Sequence, residues 1–208
     1  MKFIITQYKK SFEYFREIKK IFFLCLTGFI FLSIAMHFVF LMQPEATTQL
    51  FDKLSEFIDG LNIPLGGWAC FTGIFLNNIK AMFFSIIYGF IPFLFIPIIV
   101  LCTNIMSISV VSAYSIISGN SGIYVLLSMI LGVVPHGIFE IPAICLAVTL
   151  GINLCSKLNK KIIGNEEVVF SYTVKQTFRM FITFILPLTI VAALVETFIT
   201  PLILVSFI

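Results

Sequence analysis

The sequence predicts an all-α polytopic integral membrane helix bundle. It has five spans, or six if two breaks are full turns, with broken or re-entrant helices and amphipathic helices at the interfaces. Three observations carry this. The 208 residues are 60% hydrophobic and 11% charged, with a mean hydropathy of +1.10. A soluble domain carries about 25% charged residues, so for much of this chain the lipid bilayer must be the solvent. The apolar residues also fall into long blocks, about 21–42, 81–117, 123–156 and 180–208. Finally, the charge flanks those blocks. Lys2, Lys9, Lys10, Arg16, Lys19 and Lys20 precede the first, and Lys157, Lys160, Lys161, Lys175 and Arg179 lie between the last two. Basic residues placed this way set membrane topology and argue against nucleic-acid binding. No Gly-, Ser- or Pro-rich linker divides the chain, so 1–208 reads as one transmembrane domain.

Within residues 1–20, Ile4, Tyr8, Phe12, Phe15 and Ile18 share one helical face and basic residues fill the rest. That pattern predicts an amphipathic helix on the cytoplasmic surface. The run 21–42 follows. It is longer than the roughly 7–15-residue core of a signal peptide and has no small-residue cleavage site, so it reads as an uncleaved first span. In 45–61, Leu50, Phe51, Leu54, Phe57, Ile58 and Leu61 recur with helical spacing, and Glu45, Asp52, Glu56 and Asp59 lie among them. This is a second amphipathic helix, at the outer interface. Gly60, Pro64, Gly66 and Gly67 stop it, and Trp68 suits an interfacial anchor.

The remaining core, 79–118, 123–156 and 180–208, is constrained by parity. The acidic segment lies outside and the basic segment 157–179 inside, so an odd number of crossings separates them. A break near Thr103-Asn104 would give spans of about 79–101 and 105–118. The next block is expected to break at Pro135-His136-Gly137, leaving a half-helix at 123–134, and Pro142 falls inside the helix beyond. The last block crosses once. Ser118-Gly119-Asn120-Ser121-Gly122 reads as a turn. Gly89, Gly132, Gly137 and Gly151 read as sites of close helix packing.

The chemistry concentrates at a few positions. His136 and Glu140 are, thiols and one tyrosine aside, the sole ionisable groups from Ile123 to Cys155, and Glu196 is the other acid of the apolar blocks. His136 and Glu140 share a helical face at i, i+4. A charge at mid-membrane costs about 2.5–3.5 kcal/mol on insertion scales, so it faces protein or water and finds a partner. The predicted intramembrane polar site is therefore His136, Glu140, Glu196, Asn77, Asn78 and Asn104, shaped by helix breaks at Pro135, Gly137, Pro142 and Pro201. Lys80 and Asn153 are further potential partners. Three readings stay open: neutral hydrogen-bonded architecture, a transport relay, or catalysis or metal binding by His136, Glu140 and Glu196. His37 reads as a packed or interfacial histidine. Cys25, Cys70, Cys102, Cys145 and Cys155 form no CxxC pair, and those in apolar runs read as buried small residues. No nucleophile elbow, H-E-x-x-H or phosphate loop is present, and no cofactor is predicted. An ATPase, if one participates, is a separate subunit. Phe170, Val174 and Phe178 at helical spacing offer it a docking stripe in 157–179.

Three stretches carry a resemblance. They are Phe75-Leu76-Asn77-Asn78, Pro135-His136-Gly137-Ile138-Phe139-Glu140-Ile141-Pro142 and Glu196-Thr197-Phe198-Ile199-Thr200-Pro201. Together, across about 70–205, the chain resembles the stage II sporulation protein M family. That family often shows an Asn-Gly pair in its second span, where here Ile105 follows Asn104. The resemblance implies a multi-pass protein of the bacterial cytoplasmic membrane, without known catalysis. The founding member helps to anchor a peptidoglycan-degrading complex during engulfment of the forespore. Relatives look like accessory or permease-like subunits in peptide export and in bacteriocin production or immunity, often beside an ATPase. The partners implied are other membrane or envelope proteins, with a second copy of the chain as a further option.

Overall fold

The computed structural model describes residues 2–64, 66–164 and 169–207, and they form a helical membrane bundle without strands. Five of its helices are long and apolar enough to cross a bilayer. Large apolar side chains such as Leu24, Phe31, Leu126 and Leu202 point outward, as lipid-facing residues do.

Helix α1 runs from Lys2 to Leu41 without interruption. Residues 1–20 were expected to form a separate surface helix; from Lys2 onward they instead continue straight into the span. Their inward face matches the expected apolar face only at its far end, where Ile18 is buried and Phe15 packs on the core. Ser11, Tyr14 and Ile18 are buried, whereas Ile4, Tyr8 and Phe12 are exposed. The polar groups explain this. Asn153 Nδ2 donates to the Tyr14 hydroxyl at 2.7 Å, Thr183 donates to Ser11 Oγ at 2.9 Å, and Arg179 donates to Gln7 Oε1 at 2.7 Å. Specific partners on other helices outcompete non-specific apolar contact.

Helix α2, Pro44–Gly60, turns off the far end of α1, where Thr47 Oγ1 donates to the Phe40 carbonyl at 2.7 Å. Phe51 stacks on Tyr114 at 3.8 Å and fixes α2 to the end of the later helix that carries Tyr114. Helix α3, Gly67–Ile87, begins well before the expected residue 79 and runs into a 3₁₀ turn, Tyr88–Phe90. Helix α4 is Pro97–Ile117.

The break in this block therefore lies at 88–96, not at Thr103-Asn104, which sit inside α4. Pro92 and Pro97 lack the N–H groups that a continuing helix needs. Phe93 and Phe95 take φ of +67° and +46°, a region unfavourable for bulky side chains. Asn159 Oδ1 accepts from the Phe93 N–H at 2.9 Å, and Cys155 Sγ donates to the Ile91 carbonyl at 3.3 Å. Asn104 needs no break, because its Nδ2 donates to the Val100 carbonyl within the same helix at 2.8 Å. His37 Nδ1 pairs with Ser112 Oγ at 2.7 Å across α1 and α4.

Ser121 caps α5, Gly122–Gly132, and α6 follows as Val134–Ile162. The interruption is at Val133, two residues before the expected Pro135, because a proline disrupts the turn preceding it. Pro135 and Gly137 sit in the first turn of α6, and α6 passes through Pro142 unbroken. From Ala143 to Gly151 every α6 residue is buried, as befits the central helix of a bundle. Gly89 and Gly151 explain how α3 comes so close. A Cβ on Gly89 would lie 2.4 Å from the Gly151 carbonyl oxygen, and one on Gly151 would lie 2.5 Å from the Ser85 oxygen. Gly132 and Gly137 meet only ordinary contacts.

The last crossing is one long run. It comprises α7, Phe170–Met180, a π-helical turn at Phe181–Ile185, α8, Leu186–Leu194, a second π turn at Val195–Ile199, and α9, Thr200–Phe207. In each π turn an N–H bonds five residues back, Leu186 to Phe181 and Thr200 to Val195. A proline, Pro187 or Pro201, follows immediately. Residues 165–168 of the basic segment lie outside the described residues. In the described part the docking stripe does not stand whole: Phe170 and Val174 pack inward and Phe178 alone is 69% exposed. Phe170 is held edge-on to Phe90 at 5.9 Å.

Candidate functional site

Helix α6 carries His136 and Glu140 one turn apart near its start, with His136 Nε2 at 3.9 Å from Glu140 Oε2. The second π turn presents Glu196 to them. One ligand atom from each of the three lies within 4.8 Å of the others. The chain brings them together through two proline effects. Pro135 starts α6 just ahead of His136. Pro201 cannot take the Thr197 carbonyl as a partner, and the turn before it widens. An inserted residue shifts the helix register by about 100°, and so decides which way Glu196 faces relative to the rest of the last crossing.

The cluster lies at the end of the bundle opposite the basic segments. Phe198, two residues beyond Glu196, packs edge-on against Trp68 at 5.3 Å, and Trp68 opens α3. At the other end α1 meets the basic segment, with Tyr172 donating to Glu17 Oε1 at 3.1 Å. His136 and Glu140 are mostly enclosed, at 15% and 17% side-chain exposure. His136 Nδ1 is buried without a hydrogen-bond partner, as are Thr197 Oγ1 and Thr200 Oγ1 in and just after the π turn. Among the described residues no Lys or Arg pairs with either carboxylate, and His136 is the sole ion-pair neighbour of Glu140. Asn153 is taken by Tyr14, and Lys80 is exposed on α3.

The three asparagines belong elsewhere. Asn77, Asn78 and Asn104 line a cavity of 710 Å³ between α2, α3 and α4, walled on one side by Leu50, Leu54 and Phe57. None of His136, Glu140 and Glu196 lines it, although it reaches Val133 at the α5–α6 break and Ile144, one turn beyond Glu140. The expected six-residue site is thus two sites sharing a helix. Asn77 and Asn78 lie midway along α3, where they line the cavity together with Thr103, Asn104 and Ser107 of α4.

The profile of Stage II sporulation protein M matches residues 21–201, taking in the first span, the cavity and the whole cluster. The chain belongs to the stage II sporulation protein M family. No curated protein and no solved structure matches it. In this member of the stage II sporulation protein M family, sequence reasoning missed the π turns. Their signal is a repeated Thr-x-x-x-Pro spacing, Thr183 to Pro187 and Thr197 to Pro201, in which the threonine carbonyl loses its i+4 donor. The Gly89–Gly151 contact shows how α6 is clamped at its middle while the polar cluster sits at its end.

Proposed function

We propose that this protein is a non-enzymatic membrane subunit of a bacterial envelope complex, a scaffold or accessory, permease-like partner. Its His136–Glu140–Glu196 cluster is the part that a partner or substrate engages. The observation that carries this is the convergence of three ionisable side chains from two helices at one end of the bundle, unpaired by any described Lys or Arg. Such groups are expensive in a membrane and mark functional positions. Family membership fits the reading, since the resemblance implies anchoring and export roles. The positive-inside rule puts the N-terminus and the 157–179 segment in the cytoplasm, with the cluster in the outer half of the cytoplasmic membrane. The cavity beside α2 fits an apolar segment of a membrane partner, with Asn77, Asn78 and Asn104 available for its polar groups.

The test is purification of the full chain from its native membrane in mild detergent. A stoichiometric envelope partner is expected, and its association should fall in Glu140→Gln and Glu196→Gln while their thermal unfolding stays unchanged. Association that ignores both substitutions, or a lone chain that cleaves membrane peptides, would overturn the reading.

A further inference from the structure

We infer that His136, Glu140 and Glu196 bind one divalent transition-metal ion, of the zinc type, with coordination positions left open for water or an oxygen-bearing substrate group. This deepens the reading above and rests on the cluster being the working part of the bundle.

The donor set is the first ground. Two carboxylates and one imidazole are the ligand types of open three-ligand sites. Geometry is the second. Ligands around a zinc ion at about 2.0–2.1 Å sit roughly 3.3 Å apart. The three donor atoms already lie within 4.8 Å of one another, and His136 Nε2 is 3.9 Å from Glu140 Oε2. His136 and Glu140 are one turn apart on α6 and Glu196 comes from the facing π turn, so the ion would pin two helices together.

Charge is the third ground. The described residues give the two carboxylates no Lys or Arg, and one dication would neutralise both where lipid offers no counter-ion. The unpartnered atoms are the fourth. Buried His136 Nδ1, Thr197 Oγ1 and Thr200 Oγ1 have no hydrogen bond. With Nε2 on the metal, Nδ1 carries the proton and points away from the ion, where a separate outer water would give that N–H a partner.

The experiment uses tag-free full-length protein in detergent, equilibrated with zinc or cobalt and freed of excess. Wild type is expected to hold about one ion per chain. The Co²⁺ form should show the visible absorption of a low-coordinate N/O site. Glu140→Gln, Glu196→Gln and His136→Ala should each lose more than the roughly 10–100-fold in affinity that a supporting partner is worth. Cys102→Ser, which alters an exposed thiol, should lose nothing. X-ray absorption of the zinc-loaded wild type needs no variant and should show nitrogen and oxygen scatterers only. Sulfur in the first shell, no stoichiometric metal at micromolar free zinc, or full retention in the Glu140→Gln/Glu196→Gln double variant would overturn the site. Lack of metal together with partner association that still depends on Glu140 removes the ion and leaves the scaffold reading. Tight metal without that dependence does the reverse.

Discussion

Helix α6 and the last crossing both carry prolines inside a membrane helix, and they resolve them differently. In α6, Pro142 is absorbed with the α-helix intact, next to a stretch buried on every side. In the last crossing, Pro187 and Pro201 each follow a turn widened to π geometry. That crossing is less enclosed, and Ile182, Val191 and Ile199 face outward. Helix α6, gripped along the stretch beyond Pro142, keeps its register and goes without the hydrogen bond to the exposed Ile138 turn. The last crossing instead adds a residue to the turn before each proline. The polar cluster forms where the two solutions meet, with rigid α6 offering His136 and Glu140 and the widened turn offering Glu196.

The comparison can be broken most severely at the grip itself. Gly151→Leu should abolish folding, because any side chain there enters the Ser85 carbonyl and Pro97. Gly151→Ala should cost about 1–3 kcal/mol by overpacking. Thermal unfolding in detergent reads both, with Gly28→Ala, which meets nothing, as the unchanged control. The next effect is geometric. In a background without native thiols, cysteines replacing Glu140 and Glu196 should be joined by a short bifunctional thiol reagent that spans the gap left by the shorter side chains. Pro201→Ala should let the π turn relax and suppress that cross-link, while Pro142→Ala should leave it unchanged. Equal behaviour of the two proline variants would sink the contrast. Asn153→Ala gives the smallest effect. It removes the buried bond to Tyr14 that ties α6 to α1, and should cost roughly 0.6–1.7 kcal/mol, the scale of interhelical hydrogen bonds in membranes. It should leave the cross-link intact.

The class of fold was legible because composition and charge placement respond to the bilayer, which acts on whole segments. The groups of the cluster were legible as lone ionisable residues in apolar blocks, two of them at i, i+4. The loop at 88–96 was not, because Asn104 looks like a breaker in sequence and becomes a self-satisfied helix residue in place, whereas Pro92 and Pro97 act together with the Asn159 side chain, distant in the chain. The inward face of residues 2–20 was hidden for a similar reason. Ser11 and Tyr14 read as surface residues until Thr183 and Asn153 are beside them. Asn77 and Asn78 line the cavity with Asn104 and not the cluster, because α3 packs them against α4. Contacts between residues far apart in the chain decide these matters, and no local pattern contains them.

Glu140 and its facing acid lie on different crossings, and synthesis separates them. When α6 leaves the ribosome and enters the translocon, the helix that will cover Glu140 has not been made. At ~5–20 residues per second the delay lasts several seconds. During that interval the Glu140 side chain lacks the last crossing that covers it in the finished fold. Order of synthesis and order of burial therefore disagree in this protein. A chain truncated before Glu196 would present quality-control proteases with an uncovered acid in the bilayer.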